Sequence, residues 1–237
     1  IDISSSSPVE SVTLNNCEIT GVSQYAVYSA ANEGVSIYLN NIEITGDFSY
    51  SAILHNQAGR SSDSEFKMTN SRLDCTSLNP INDYLLWNGA QSTTKLFEYD
   101  VTYNSNDIAI SIDETEEQFD VIIAREASSY TFTNNTCAIA TRTRRKTVEL
   151  LRPSGNSGYR ISSVDIGNNL VAYGCATGFA LVVGGDSTGI AYTDKATLSD
   201  NVVVGEYWSN RTPHGQTCGR SEAGDEYLIK DGISTDI

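Results

Sequence analysis

Hydrophobic and polar residues alternate over short stretches of this chain, and one such stretch returns several times. Residues 12–21 read VTLNNCEITG, and residues 37–46 read IYLNNIEITG. Alternation with a period of two is typical of β-strands that have one buried face. Each copy therefore predicts two short strands on either side of a polar pair. Weaker copies lie at 66–75, 96–103, 130–139, 164–173 and 196–204.

The polar pair, Asn-Asn or Thr-Asn in most copies, predicts a bend between the two strands. Asparagine tolerates the left-handed backbone region better than most residues, and it is therefore common in tight bends. If the copies stack, their side-chain amides meet at one corner and bond from one copy to the next. We expect such a ladder from Asn15, Asn16, Asn40, Asn41, Asn70, Asn135, Asn168 and Asn169.

A third apolar stretch follows most bends, so that the repeating unit has three strands. The third stretches are assigned to residues 25–28, 51–54, 84–87, 108–112, 148–151 and 179–183. One unit alone cannot bury its apolar face, whereas stacked units pair each strand with its copies about 4.8 Å away. The prediction is an all-β solenoid at residues 1–205, with an irregular C-terminal cap or tail at 206–237. A β-sandwich is the alternative, because the strand spacing also fits one.

The alternation also predicts which side chains fill the interior of this solenoid. The inward positions in each strand are every second residue, in step with the apolar residues of that copy. The expected core comprises Val12, Leu14, Ile19, Ile37, Leu39, Ile44, Met68, Leu73, Ile166 and Leu170.

The repeated string, an apolar-polar-Leu-Asn-Asn stretch followed by Ile-x-Gly and a third strand, resembles the right-handed parallel β-helix of the pectate-lyase-like superfamily. The resemblance covers roughly residues 10–205 and is one of fold. It implies a right-handed parallel β-helix of about seven turns. Because that superfamily includes lyases, polygalacturonases, phage tailspikes and surface adhesins, the fold alone does not assign a function.

Charge excludes several classes of partner. The chain has 30 Asp and Glu against 15 Lys and Arg, which gives a net charge of -15. Binding to nucleic acid usually requires the opposite balance, and anionic membrane surfaces repel such a chain. No apolar run approaches the roughly 20 residues of a membrane-spanning helix. We therefore expect neither nucleic-acid binding nor membrane insertion.

The motifs typical of catalytic members of that superfamily are missing from the sequence. The polygalacturonase-like elements Asn-Thr-Asp, Asp-Asp, Gly-His-Gly and Arg-Ile-Lys do not occur. The expected function is a structural or adhesive module, extracellular, on a cell surface or on a virion. Its expected partners are a polysaccharide or neighbouring protein subunits, and it is expected to be non-catalytic. The alternative is a polysaccharide lyase or glycoside hydrolase with a site assembled across turns, which an aligned ridge of Asp, Glu and Arg would favour.

Two kinds of residue are candidates for glycan contact. A basic tract at 141–146 carries guanidinium groups that suit carboxylate or sulfate, unless it is only a solvated loop. Tryptophans offer flat faces on which sugars stack. The candidates are Arg142, Arg144, Arg145, Lys146, Trp87 and Trp208.

The remaining candidates concern metal, disulfide and modification. No cofactor is expected, but Asp113, Glu114, Glu116 and Glu117 form an acidic tract that is a candidate calcium site or a solvated loop. The five cysteines are either buried thiols or include one disulfide, for which Cys175 and Cys218 are the candidate pair. Asn134 and Asn210 begin glycosylation sequons.

Overall fold

A computed structural model describes fifteen segments of the chain. They are residues 1–3, 9–30, 34–56, 62–77, 84–89, 97–112, 119–125, 127–141, 148–154, 161–174, 178–179, 195–206, 217–220, 226–230 and 233–234. These segments form strands, numbered β1 to β24 in chain order, and the bends between them, without a helix. Accordingly, no helix among them is long and apolar enough to cross a membrane.

Most strands belong to three seven-stranded sheets, named here A, B and C. Sheet A contains β1 (Asp2–Ile3), β4 (Val27–Ser29), β7 (Ile53–Asn56), β10 (Tyr84–Gly89), β13 (Phe119–Arg125), β16 (Val148–Ser154) and β19 (Gly178–Phe179). Sheet B contains β2 (Ser11–Asn15), β5 (Ser36–Asn40), β8 (Ser64–Thr69), β11 (Tyr99–Asn104), β14 (Ser129–Thr133), β17 (Ser163–Gly167) and β20 (Ala196–Ser199). Sheet C contains β3 (Glu18–Ser23), β6 (Glu43–Phe48), β9 (Arg72–Ser77), β12 (Asp107–Ile112), β15 (Thr136–Thr141), β18 (Leu170–Gly174) and β21 (Val202–Glu206).

Neighbouring strands in each of these sheets are parallel and lie three places apart in the chain order. In sheet B, for example, Leu14 of β2 lies opposite Leu39 of β5, which lies opposite Met68 of β8. This order is consistent with a β-solenoid, and the all-β prediction is confirmed. The parallel pairing excludes the sandwich alternative, since sandwiches are built from antiparallel sheets.

Near the C-terminus the pairing changes from parallel to antiparallel. Strands β22 (Thr217–Arg220), β23 (Glu226–Lys230) and β24 (Ile233–Ser234) form a small sheet of their own. They lie within residues 206–237, whose role as a cap stays a prediction.

The bend between sheets B and C is built on one left-handed residue per unit, as the asparagine pairs predict. All of these residues have φ between 51° and 59° and are exposed. They are followed by one inward residue and then by the first, outward residue of the sheet C strand. The left-handed residues are Asn16, Asn41, Asn70, Ser105, Asn134, Asn168 and Asp200.

The inward residue after the bend forms a buried amide ladder in the later units. Asn135 is 1% exposed, and its Oδ1 accepts hydrogen bonds from the backbone N–H (2.9 Å) and Nδ2 (3.0 Å) of Asn106. The Nδ2 of Asn135 donates to the Tyr103 carbonyl and to Oδ1 of Asn169, each at 3.1 Å. Asn169 continues the pattern to Asn201 at 2.8 Å. Of the asparagines predicted to form a ladder, Asn135 and Asn169 belong to this interior one. The others lie on the outside of the bend, where some also bond from unit to unit, as Asn41 does to Asn16.

The apolar core occupies the space between the three sheets. Of the predicted core, Ile37, Leu39, Ile44, Met68, Leu73 and Ile166 are buried. Val12, Leu14 and Ile19 are half-buried, because their strands end the sheets and have a neighbour on one side only.

The prediction that Leu170 lies in the core is wrong. Leu170 is 47% exposed, while Val171 beside it is buried. Its strand begins directly after the inward Asn169, so the alternation of the strand turns Leu170 outward. Leu170 lies opposite Val202 of β21, which is 46% exposed.

One strand assignment is also wrong. Residues 108–112, assigned as a third strand, belong to β12 of sheet C, and the third strand of that unit is β13. The bend before β12 reads Asn104-Ser105-Asn106, with serine at the left-handed position. The missing asparagine pair hides this bend in the sequence and shifts the assignment by one strand.

Candidate functional site

A groove runs along the outside of the corner between sheets B and C, across the first four units. It is open to solvent and has a volume of about 550 Å³. The left-handed residues form one side of this corner groove, and the first residues of the sheet C strands form the other. It is lined by Asn16, Cys17, Glu18, Asn41, Ile42, Glu43, Asn70, Ser71, Arg72, Ser105 and Asp107.

The charged side chains of the groove lie in one row. Glu18 pairs with Glu43 on the next strand, Glu43 with Arg72, and Arg72 with Asp107. Neighbouring strands lie about 4.8 Å apart, so the row offers one charged group at each step. An aligned ridge of acidic residues and arginine is thus present on this face.

The one guanidinium in this row is already paired within the protein. Nη1 of Arg72 lies 3.5 Å from Oε1 of Glu43, and Nη2 lies 3.0 Å from Oδ2 of Asp74. The side chains of this cluster are between 41% and 53% exposed, so both ion pairs are in contact with water. Such exposed pairs contribute little to stability, but they occupy N–H donors at Nη1 and Nη2 of the guanidinium.

The exposed asparagines add a row of amides beside these charges. Nδ2 of Asn41 donates to Oδ1 of Asn16 at 2.7 Å, and Nδ2 of Asn70 donates to Oδ1 of Asn40 at 3.2 Å. Each amide nitrogen carries two N–H donors, so one N–H lies beyond each ladder bond. The groove therefore presents both donors and acceptors at regular intervals.

The described histidine and two of the three described free thiols lie in the interior, whereas the third thiol, Cys17, is half-buried and lines the groove. His55 is fully buried, with Nδ1 2.8 Å from the Tyr99 hydroxyl and Nε2 2.8 Å from the Val35 carbonyl. Burial lowers the pKa of His55 to about 4. Burial raises the pKa of the Cys75 thiol to about 12 and that of the Cys137 thiol still further. None of these three side chains reaches a ligand at the surface.

Metal binding finds no support in the described part of the chain, where no set of three or more His, Cys, Asp or Glu side chains is placed to hold an ion. The candidate calcium ligands Asp113, Glu114, Glu116 and Glu117 lie outside the described residues.

For most of the other site residues predicted from the sequence, the side chain lies outside the described part of the structure. Trp87 lies on β10 between Leu54 and Ile123, and Cys218 lies on β22, but neither side chain is described. Outside the described residues lie Arg142, Arg144, Arg145, Lys146, Cys175, Trp208 and Asn210. Cys17, Cys75 and Cys137 are free thiols.

Asn134 is described, and it is exposed at the left-handed position of its bend. Its Oδ1 accepts a hydrogen bond from Nδ2 of Asn168 at 2.6 Å. It is the next left-handed residue after Ser105, at the end of the corner groove, so a glycan there would border the groove.

The groove residues themselves are missing from the sequence-based candidates. Their signal is nonetheless present in the first copies, where NNCE and NNIE place Glu18 and Glu43 at the same step. Asp107 gives no such signal, because its copy lacks the asparagine pair.

No protein-family model, curated protein or solved structure matches the chain.

Proposed function

We propose that this chain is a right-handed parallel β-helix of about seven turns, similar in fold to the pectate-lyase-like superfamily, that binds an extended polysaccharide. It acts as an adhesive or structural module outside the cell, on a cell surface or on a virion. Two observations support the β-helix: each strand pairs with the strand three places on, and the left-handed corner residue recurs in every unit.

The corner groove carries the proposal of polysaccharide binding. An exposed amide recurs in three of its four units and a charged group in all four, so a ligand with its own repeat meets a polar group at every step. Sugar hydroxyls donate and accept hydrogen bonds, which suits a mixed row of amides, carboxylates and a guanidinium. Each exposed contact is weak, but contacts along one chain add up, because later contacts form within an existing complex.

The surroundings of the carboxylates in the groove favour binding of the polysaccharide without cleavage. Glu18 and Asp107 are exposed, and Glu43 is engaged by Arg72. A glycosidase acid is usually held in an apolar pocket, which keeps it protonated near neutral pH. The corner groove is instead open and polar.

A polysaccharide-cleaving enzyme is the second candidate, and two observations favour it. The aligned ridge of acidic residues and arginine is the arrangement expected of a site assembled across turns. Glu18 and Glu43 are register partners on adjacent strands. Strands about 4.8 Å apart bring two carboxylates close to the 5–5.5 Å separation of retaining glycosidases. The test is the release of reducing ends from a panel of polysaccharides. If the parent protein releases them and Glu43→Gln does not, cleavage replaces simple binding as the function.

Paired substitutions at equivalent corner positions test the binding proposal. Asn41→Gly with Asn70→Gly removes two amides from the groove, whereas Asn134→Gly with Asn168→Gly removes two amides at the same corner elsewhere. Glycine adopts the left-handed conformation readily, so both pairs leave the bend intact.

Affinity for neutral oligosaccharides, measured by titration calorimetry, should fall roughly tenfold in the groove pair, as expected for two lost hydrogen bonds. It should match the parent protein in the control pair. Equal affinity in both pairs, or no binding by the parent protein, would refute the proposal.

A further inference from the structure

We infer that the corner groove selects polysaccharides without acidic groups and holds them more tightly when their sugars carry amino groups. This inference rests on the proposed function and names the chemical class of its ligand. It is drawn from the charges that line the groove and from the partners those charges already have.

Carboxylates outnumber cations in the groove. Glu18, Glu43 and Asp107 line it, and Asp74 stands beside Arg72 on the same strand. The three lining carboxylates against one guanidinium leave a charge of about -2 in the groove, and Asp74 adds a further negative charge at its edge. A carboxylated or sulfated polymer that entered the groove would meet this field at every step.

The one cation does not offset this repulsion. Arg72 is bound to Glu43 at 3.5 Å and to Asp74 at 3.0 Å. To hold an acidic sugar it would have to exchange one of these partners for the ligand, so the ligand gains little. An arginine that recognises carboxylate well presents its two-donor edge free of other acids.

The field of the whole molecule acts in the same direction. The chain has a net charge of -15, so acidic polymers are repelled before they reach the groove. The basic tract at 142–146 suggests anionic glycans from the sequence, but it lies outside the described residues, whereas the groove that is described is acidic.

Amino sugars fit the same groups. An ammonium group donates three hydrogen bonds, and the exposed carboxylates at Glu18 and Asp107 are acceptors only. The amides of Asn41 and Asn70 bond hydroxyls equally in all sugar classes, so they supply affinity without selecting for charge.

Three oligomers of equal length test the selectivity. They are β-1,4-linked glucosamine, its fully N-acetylated form, which is neutral, and oligogalacturonate, which is acidic. The parent protein should bind the amino oligomer most tightly, the neutral one next and the acidic one least, and added salt should weaken the first and leave the second unchanged.

The variant Glu18→Gln with Glu43→Gln separates groove charge from overall charge. It should weaken the amino oligomer about threefold or more, as expected for two exposed charge pairs, strengthen the acidic one and leave the neutral one unchanged. The control, Glu10→Gln with Asp165→Asn, removes two exposed carboxylates away from the groove and should change none of the three by as much.

The outcomes distinguish the inference from the proposed function. Binding of the acidic oligomer as tight as that of the neutral one, or equal effects in both variants, overturns the inference and leaves groove binding standing. If Asn41→Gly with Asn70→Gly leaves the neutral oligomer bound at full affinity, the proposed function falls, and the inference falls with it.

Discussion

The early and later units of this protein make the same bend with different inward side chains. After the left-handed residue, the first three units place Cys17, Ile42 and Ser71. The later units place asparagines, which bond to one another and to backbone carbonyls throughout the interior. These asparagines are Asn106, Asn135, Asn169 and Asn201.

The difference shows that asparagine amides have two roles at this corner. In the later units the amides are buried and fully used by the fold, as for Asn135, whose oxygen and nitrogen each take part in two hydrogen bonds. In the early units the amides are outside, at Asn16, Asn41 and Asn70, where the groove lies. Buried amides stabilise this corner, whereas the exposed amides bond to one another on the outside and keep a second N–H for a ligand.

The early units also contain a close backbone approach between β3 and β6, which Gly46→Ala should disrupt. Gly46 has φ +137°, and a Cβ there would lie 1.7 Å from the Gly21 carbonyl oxygen. Since both groups are backbone, β3 and β6 must separate, at an expected cost of about 4 kcal/mol or more.

Gly21→Ala is the matched control for that prediction. Gly21 has φ +132°, but a Cβ there meets nothing within 4 Å. Backbone strain alone should cost about 1–3 kcal/mol. Urea unfolding measures both variants, and equal losses would show that the close approach of the two glycines does not matter.

The buried ladder of the later units is tested by Asn135→Leu, which keeps the volume and removes the amide. The backbone N–H of Asn106 and the carbonyl of Tyr103 then lose this partner in the interior, and we expect a loss of about 3 kcal/mol. Asn134→Gly, one residue away and exposed, should cost under about 1 kcal/mol. Urea unfolding measures the free energy of unfolding of both variants. If Asn135→Leu loses as little as Asn134→Gly, the ladder has no structural role.

The sequence predicts the parts of this fold that repeat strictly. Strand alternation and asparagine pairs are local signals, because each depends on the conformation of a few neighbouring residues. The left-handed φ at Asn16, Asn41 and Asn70 was predictable for that reason. Where serine replaces asparagine at Ser105 the signal disappears, although the backbone is the same.

Side-chain roles that depend on neighbouring units could not be predicted in the same way. His55 shares the inward parity of Ile53, but its partners Val35 and Tyr99 lie 20 and 44 residues away. The charged row likewise joins residues from four units. Predicting it requires the register of every unit, and the unit lengths vary.

His55 links the early and later units and should make their contact sensitive to acid. Its Nε2 donates to the Val35 carbonyl, so its Nδ1 accepts from the Tyr99 hydroxyl. Its pKa is about 4 in the fold, against about 6.5 in the unfolded chain, so the unfolded state takes up the proton first as pH falls. Its contribution is complete above pH 6.5 and declines towards pH 4, by about 2 kcal/mol between pH 7 and 4.5.

The measurement is the change in unfolding free energy between those two pH values, in the parent protein and in His55→Gln. Glutamine does not titrate, so the variant should lose about 2 kcal/mol less on acidification, whatever its stability at pH 7. Carboxylates contribute equally to both proteins and cancel in the difference. The same pH dependence in both proteins would mean that His55 is not protonated on unfolding in this range.

The smallest expected effect is that of Ser71→Asn, which extends the buried amide ladder of the later units into an early unit. Ser71 already joins the ladder: its N–H donates to Oδ1 of Asn106 at 3.0 Å, and its Oγ accepts from the Ile42 N–H at 3.1 Å. An asparagine here adds an amide nitrogen that can donate to Asn106 and to the Leu39 carbonyl, the equivalent of the Met68 carbonyl that Asn106 reaches. Net gains from such bonds are about 1 kcal/mol, so the midpoint of urea unfolding should rise with an unchanged slope. A fall in the midpoint would show that the corner of the early units is packed too tightly for an inward asparagine, and that the inward residues of the early and later units are not interchangeable.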